Sequence, residues 1–367
     1  MSTAFTNINS NKTAKKVLVA PLDWGLGHAT RCIPLINELL KQQFEVLLVA
    51  EKDVATLLQN EFPPLKLLPL SGYNVKYSKS KYLFGLKMLW QLPKIYSAVK
   101  HEQRWLQKAV IDYNIDIIIS DNRLGMYCPQ AKCIFITHQL AIQTGNSITN
   151  WLVQKINYHF IQKYNECWVP DVAGDNNMAG VLAHPQHLPK LPVHYIGNLS
   201  RLVKNDVVEN IDVLMVLSGP EPQRTMFENI LLQQCATINK KMILVRGLPN
   251  ATEQVVSNNP LLQIINFATA ATLNTLMLQA KLVVARSGYS TIMDVAALQK
   301  KAIFVPTPGQ TEQQYLATYM ASKKYAVVAT QHQFSLSKLL AKAAQFTFEQ
   351  YPTNNTEALQ KAIAALK

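Results

Sequence analysis

The sequence predicts an α/β protein built as two doubly wound domains that face each other across a cleft. Three observations predict it. Short apolar runs alternate with periodic helical stretches along the chain, the pattern of parallel strands covered on both faces. The alternation stops at a polar segment, residues 200–210, and then begins again. The 367 residues are enough for two domains of ordinary size.

The elements follow in order. Residues 16–20 (KVLVA) read as a buried strand, followed by a glycine loop and the helical period of 31–42. Residues 44–50 (FEVLLVA) are a second strand, 53–60 a helix and 65–70 a third strand. A helix is expected near 98–113, strands at 116–120 (DIIIS) and 132–137 (KCIFIT), a helix at 151–164 and a strand at 167–170. Residues 193–196 lead into Gly197 and Asn198, and 200–210 form the linker. The second half opens with a strand at 212–217 (DVLMVL), a helix at 224–239, strands at 241–245 and 262–265, and a helix at 271–279. A strand at 281–285 (KLVVA) runs into a tight Ser287-Gly288 turn and a helix carrying Asp294. A strand at 302–305, closed by Pro306, precedes a loop with Gly309, and Glu312, Gln313 and Gln314 open the next helix. A helix at 356–366 ends the chain. The expected domains are 1–199 and 200–350, with 351–367 as a C-terminal helix packing back on the first.

Composition bounds the function. An apolar content of 49% and a charged content of 16% describe a folded globular chain. The opening residues MSTAFTNINSNKTAKK are polar, and the apolar runs fall short of the roughly 20 residues of a membrane span. Cys32, Cys128, Cys133, Cys167 and Cys235 form no CxxC pair and read as reduced thiols of a cytoplasmic protein. The net charge is +13, an attraction for anionic partners. Between Lys76 and Lys108 eight basic residues stand against one acid, Glu102, interleaved with Tyr77, Tyr82, Phe84, Trp90, Tyr96 and Trp105. That mixture suits an anionic membrane surface, or equally an amphipathic helix with its aromatics packed inward. The chain carries no recognisable nucleic-acid-binding motif, and none is expected as a partner.

Several clusters fall at carboxyl ends of strands, where sites in open sheets lie. Residues 21–31 read PLDWGLGHATR, and Gly25 and Gly27 allow a sharp turn that sets His28 over the cleft. A dinucleotide site would place Glu51 at the right distance, but Thr30 stands where its third glycine belongs. Asp121, Asn122 and Arg123 follow one strand, and His138 follows another. After the strand at 212–217, Ser218 and Gly219 can present a hydroxyl and N–H groups to phosphate, and Arg224 can add charge. It is no Walker loop, and Pro220 and Pro222 remove donors. Asp294 is either an acid favoured by a helix start or a carboxylate for ribose hydroxyls. Gln313 and Gln314 suit sugar hydroxyls, and Phe267 is either core or a stacking surface for a base. His184, His187 and His194 lack an acid or cysteine nearby, so no metal site and no cofactor is expected.

Taken in order along nearly the whole chain, these motifs resemble glycosyltransferase family 28, which has the GT-B fold. The match runs through Gly25, Gly27 and His28, the His138 loop with Asn150, Trp151 and Leu152, and Gly197, Asn198 and Arg201. It continues through Ser218, Phe267, Arg286 to Gly288, and Pro306 to Gln314. The resemblance implies a UDP-sugar held by the second domain. Phe267 and Ala268 would border uracil, and Asp294 would take the ribose. Ser218, Gly219, Arg224, Ser287, Gly288, Ser290 and Thr291 would hold the diphosphate, with Arg201 nearby. Gln313 and Gln314 would meet the donor sugar. Gly27, Asn122, Arg123 and His138 would face the acceptor. His28 would be the general base, with Asp23 and Asp121 as rivals, in an inverting transfer that requires no protein-bound metal. The acceptor would be lipid-linked or membrane-presented, with the protein peripheral on the inner face of the membrane. There are departures: Asp294 replaces a glutamate, the Ser218 loop lacks its preceding glycines, and His138 is followed by Gln139, Leu140 and Ala141 in place of the family's Glu-Gln-Asn. The last change leaves the acceptor open. A UDP-sugar 2-epimerase of the same fold, and a non-catalytic nucleotide-sugar-binding protein, are the alternatives.

Overall fold

The computed structural model describes residues 14–23, 26–72, 84–143, 147–352 and 356–367. The first unit runs β1 (Lys16–Pro21), α1 (Leu26–Lys41), β2 (Glu45–Val49), α2 (Lys52–Glu61), β3 (Lys66–Leu68), α3 (Phe84–Tyr113), β4 (Ile117–Asp121), β5 (Lys132–Ile136), α4 (Ser147–Ile161), β6 (Glu166–Val169) and β7 (Val193–Tyr195). The second runs β8 (Val213–Val216), α5 (Gln223–Cys235), β9 (Met242–Val245), β10 (Leu262–Ile265), α6 (Ala270–Gln279), β11 (Val283–Ala285), α7 (Tyr289–Ala297), β12 (Ala302–Phe304), α8 (Thr311–Ser322), β13 (Ala326–Val328) and α9 (Leu336–Gln345). A closing helix, α10 (Glu357–Ala364), follows.

Each unit carries one parallel sheet, ordered β3-β2-β1-β4-β5-β6-β7 in the first and β10-β9-β8-β11-β12-β13 in the second. The strands are apolar at successive positions because both faces are covered: all five residues of β4 are buried. One apolar cluster covers a face of each sheet and is continuous between them, joining Leu18 and Phe135 to Leu214 and Phe304. A second fills the outer face of the first sheet and a third that of the second. The helix α10 belongs spatially to the first unit. Its Leu359 and Ile363 share a cluster with Ile33 and Leu39 of α1, and Gln42 Nε2 donates to Gln360 O at 3.0 Å.

Four elements differ from the sequence expectation. Helix α1 begins at Leu26, not 31, so Gly27 lies within it and Ala29 and Thr30 are buried. Helix α3 begins at Phe84, well before 98. β13 and α9 have no counterpart in the expectation: the first is three residues, and the second buries Leu336, Leu339 and Ala343 at helical spacing on one face. Five buried free cysteines match the expectation of unpaired thiols.

Candidate active site

In an open parallel sheet, a crevice forms beyond the carboxyl ends of the strands where the strand order reverses. Here the order reverses between β1 and β4 in the first sheet and between β8 and β11 in the second. α1 follows β1, and Asp121 ends β4. Ser218 and Gly219 follow β8, and Ser287 and Gly288 follow β11. The two reversal points abut directly: Ser290 Oγ in the first turn of α7 donates to Gly27 O in the first turn of α1, at 2.8 Å.

A chain of charged and titratable groups crosses this junction. His28 Nδ1 lies 3.1 Å from Asp121 Oδ2 and 2.6 Å from Arg31 Nη2. Arg31 Nε donates to Asp121 Oδ2 at 2.7 Å, and its Nη2 donates to Oδ1 of the same carboxylate. Arg31 Nη1 is 2.8 Å from His138 Nδ1, and His138 Nε2 is 2.7 Å from Glu312 Oε1 on the first turn of α8. The His138 ring stacks on that of Tyr289, with centroids 4.2 Å apart. The centre of the network is buried, with Arg31 at 3%, Asp121 at 0% and His138 at 4% exposure, while the His28 and Glu312 side chains at its ends reach solvent. Burial alone would raise the Asp121 pKa, but Arg31 and His28 outweigh it and hold the carboxyl at about 2. Burial, then the Arg31 charge, pushes His28 below its usual value against the pull of Asp121. For Glu312 burial acts upward, yet His138 and Arg31 prevail and lower it.

On the other side of the junction, Gly288 caps α7 and Gln310 caps α8, so two helix N-termini open near Gly219 and Thr307. Gly219 adopts φ 104°, and a Cβ there would stand 3.7 Å from Thr307 Oγ1. Gln313 Oε1 accepts from Thr307 N at 2.9 Å. Asp294 Oδ1 accepts from Ser200 Oγ at 2.7 Å, and burial raises its pKa against the opposing charge of Arg201. Among the described residues, buried side-chain atoms without a hydrogen-bond partner include Asn198 Oδ1 and Arg201 Nε on the linker, Thr307 Oγ1 and Arg286 Nε. Orphaned polar atoms are uncommon in a folded interior, and three of the four, on Arg201 beside Asp294, Thr307 beside Gly219 and Arg286 after β11, lie near the second unit's reversal point.

Not every residue singled out in the sequence comes to the junction. Arg224 points inward, with its guanidinium held 2.6 Å from Glu221 and 2.6 Å from Glu228. Arg123 is fully buried on Glu102 at 2.7 Å, because an ion removed from water keeps a counter-ion. The Ser287 hydroxyl donates to Gln313 O at 2.8 Å inside the fold. Asn122 takes φ 58° beside Asp121 and donates its N–H to Ile136 O. Phe267 packs against the apolar cluster of the first unit, and Ala268 is buried. Thr291 and Gln314 are half-buried, while Ser218 is exposed. The Asp23 carboxylate lies against Gly72, and its Oδ1 is buried without a partner. Asp121, considered as a rival base, is strongly acidified and bonded at both oxygens, which makes it a poor proton acceptor. The junction also includes residues given no role above: Arg31, Glu312, Ser200 and Thr307. Arg31 had a signal, since its spacing of three from His28 puts both on one face once α1 starts at Leu26. Among the described residues no group of three or more His, Cys, Asp or Glu is arranged to hold a metal.

Comparison with known proteins places this geometry in a class. Residues 213–366 match the glycosyltransferase family 28 C-terminal domain. Solved structures that resemble the whole chain are the glycotransferase of kitacinnamycin, with a TM-score of 0.63 and 12% identity over 96% of this chain and 94% of that one, and the MurG of Acinetobacter baumannii, with 0.54 and 13% over 96% and 99%. The fold is therefore the GT-B fold, two doubly wound units face to face, and the residues of the second unit match the C-terminal domain of glycosyltransferase family 28. A segment of 62 residues is 44% identical to the UDP-N-acetylglucosamine–N-acetylmuramyl-(pentapeptide) pyrophosphoryl-undecaprenol N-acetylglucosamine transferase of Haemophilus ducreyi. That match spans 17% of this chain and 18% of the Haemophilus protein.

Proposed function

We propose that the protein is an inverting glycosyltransferase that moves a hexose or N-acetylhexosamine from a UDP-sugar to a hydroxyl of a lipid-linked or membrane-presented acceptor. The observation that carries the reading is the facing of the two reversal points. A histidine backed by a carboxylate sits in one unit, directly opposite two helix N-termini in the other.

The acceptor hydroxyl attacks the anomeric carbon from the side of the first unit while His28 takes its proton. A bond forms from the acceptor oxygen to the anomeric carbon as the bond from that carbon to the UDP oxygen breaks, with inversion. The departing diphosphate gathers charge at the starts of α7 and α8, where unpaired amide hydrogens favour an anion, with Ser218, Gly219, Ser290, Thr291 and Thr307 around it. Asp294 exchanges its bond from Ser200 for the ribose hydroxyls, Arg201 lies beside it, and Gln313 and Gln314 meet the donor sugar. Phe267 and Ala268 border the base. The helix N-termini and side chains carry the leaving-group charge without a protein-bound metal. His28 is lowered from its usual value, so it is a free base at neutral pH.

A membrane-presented acceptor is supported by the surface of the first unit. On α4, Trp151 is 59%, Leu152 47% and Ile156 39% exposed, and Lys155 Nζ stands 3.8 Å over the Trp151 ring. Exposed Tyr96, Lys94 and Lys100 lie on α3. Residues 76–83 of the basic aromatic window lie outside the described residues. Among the described residues no helix is long and apolar enough to cross a membrane, and the reading is of a protein held peripherally on the cytoplasmic face.

The test is binding and turnover. UDP raises the apparent thermal stability by mass action, and Asp294→Ala removes most of that gain. Transfer or slow hydrolysis of a UDP-sugar proceeds without added magnesium. Unchanged UDP binding in Asp294→Ala overturns the donor site, and a UDP-sugar converted to its epimer with no acceptor present overturns the transferase reading.

A further inference from the structure

Among the described residues the buried arginines are Arg31, Arg123, Arg224 and Arg286. The first three each meet a carboxylate, on Asp121, Glu102 and Glu228. An ion taken from water calls for such a partner. Arg286 is fully buried and meets none among the described residues. Its Nη1 donates to Val305 O at 3.2 Å and Pro306 O at 3.4 Å, and its Nη2 to Gln223 O at 2.9 Å and Gln331 Oε1 at 2.6 Å. Every one of these acceptors is neutral, and Nε has no acceptor. The guanidinium lies over the Phe227 ring, 4.4 Å from its centroid. Burial pushes its pKa down to about 10, which leaves the group charged at neutral pH. Gln331, the nearest acceptor, stands where a carboxylate would complete an ion pair, and an amide there leaves the charge uncompensated.

The place of this charge is specific. Arg286 follows β11 and precedes Ser287 and Gly288, the cap of α7. Gln223 opens α5 behind the Ser218-Gly219 turn, and Val305 and Pro306 follow β12 and lead to Thr307, which faces Gly219. The guanidinium thus bonds the backbone of two of the loops that border the second unit's reversal point and itself belongs to the third. We propose that Arg286 is the fixed cation of the donor site, a charge left without a counter-ion inside the protein so that the diphosphate of a bound UDP-sugar supplies one. This deepens the donor reading given above and rests on it. Because Arg286 is fully buried, it acts on the anion through the low-dielectric interior and not by contact. An arginine that only tied these loops together would do so equally well beside a carboxylate at position 331, and its loss would weaken nucleoside and diphosphate binding alike.

The test titrates the full chain with UDP, uridine and inorganic pyrophosphate, in the wild type, Arg286→Gln and Gln331→Glu. Uridine carries base and ribose without charge, so the ratio of UDP to uridine affinity reports on the diphosphate alone. Gln331→Glu keeps the arginine and its bonds to the backbone and sets a carboxylate against Nη2, where the guanidinium holds it ionised. In both variants the ratio is expected to fall by about 10-fold or more, since a unit charge about 10 Å away at the effective dielectric of a protein is worth roughly that, while uridine binds as before. An unchanged ratio in either variant overturns the proposal, and so do equal losses for UDP and uridine, which mark a purely structural role. If Arg286→Gln does not fold, Gln331→Glu decides alone. A wild type that binds pyrophosphate but not UDP refutes the nucleotide reading instead, and the same two variants then test Arg286 by their pyrophosphate affinity. A wild type that binds neither overturns both.

Discussion

Replacing Asp121 by asparagine changes one buried charge and almost no volume, and the consequence can be worked out. The carboxylate is fully buried and receives two hydrogen bonds from Arg31. Its pKa lies at about 2, against 3.8 in an unfolded chain. At roughly 1.4 kcal/mol per pH unit, that difference contributes about 2 kcal/mol of stability. The folded-state value is the lower one, so the contribution is complete above the unfolded pKa and is lost as the pH falls through about 2. The variant also leaves Arg31 buried beside a neutral amide, and breaking a buried pair from one side costs about 3–5 kcal/mol. Urea unfolding of wild type and Asp121→Asn at about pH 7 is expected to show that gap, and at about pH 2 a gap smaller by about 2 kcal/mol. A gap below about 1 kcal/mol at neutral pH, or one that does not change with acid, would refute the account of the pair.

Two further perturbations test the frame around the site. Ile363→Ala in α10 removes a fully buried side chain from the cluster shared with α1, and is expected to lower the stability of the first unit by about 2–4 kcal/mol. A melting temperature that does not move shows that α10 does not support that unit. Gly180 adopts φ 54°, and a Cβ there would lie 2.2 Å from Tyr315 Oη on α8 of the opposite unit. Gly180→Ala is therefore expected to loosen the contact between units at a cost of about 1–3 kcal/mol and to enlarge the radius of gyration in solution scattering. An unchanged scattering profile and stability would show that the contact yields without strain.

Much of the frame was legible locally, and so were several members of the site. Buried parallel strands are written as short unbroken apolar runs, so β1, β2, β4, β5, β8 and β9 stand out from their neighbours. Asp121 at the end of β4, and His28, His138 and Ser218 after β1, β5 and β8, were found for the same reason, as was Ser287 after β11, since chain order alone places them at carboxyl ends. The edge strand β13 is only three residues long, too short a run to stand out, and helix α9 was passed over although its Leu336, Leu339 and Ala343 recur at helical spacing on one buried face.

What the tertiary structure decided was which groups face one another and which face inward. Arg123, Arg224 and Asp294 look alike in sequence, as charged residues near strand ends. Folding buries the first two against Glu102 and Glu228, because a charge taken from water keeps a counter-ion, and leaves Asp294 beside a serine on the linker. No local pattern links Arg31 to Glu312. They come together only because the two sheets place their order reversals opposite each other, so that one arginine joins three elements of the first unit and, through His138, the start of α8. Sequence periodicity reports the burial of single side chains. Pairing across hundreds of residues depends on how two separately written sheets dock, and that information is held in no one segment.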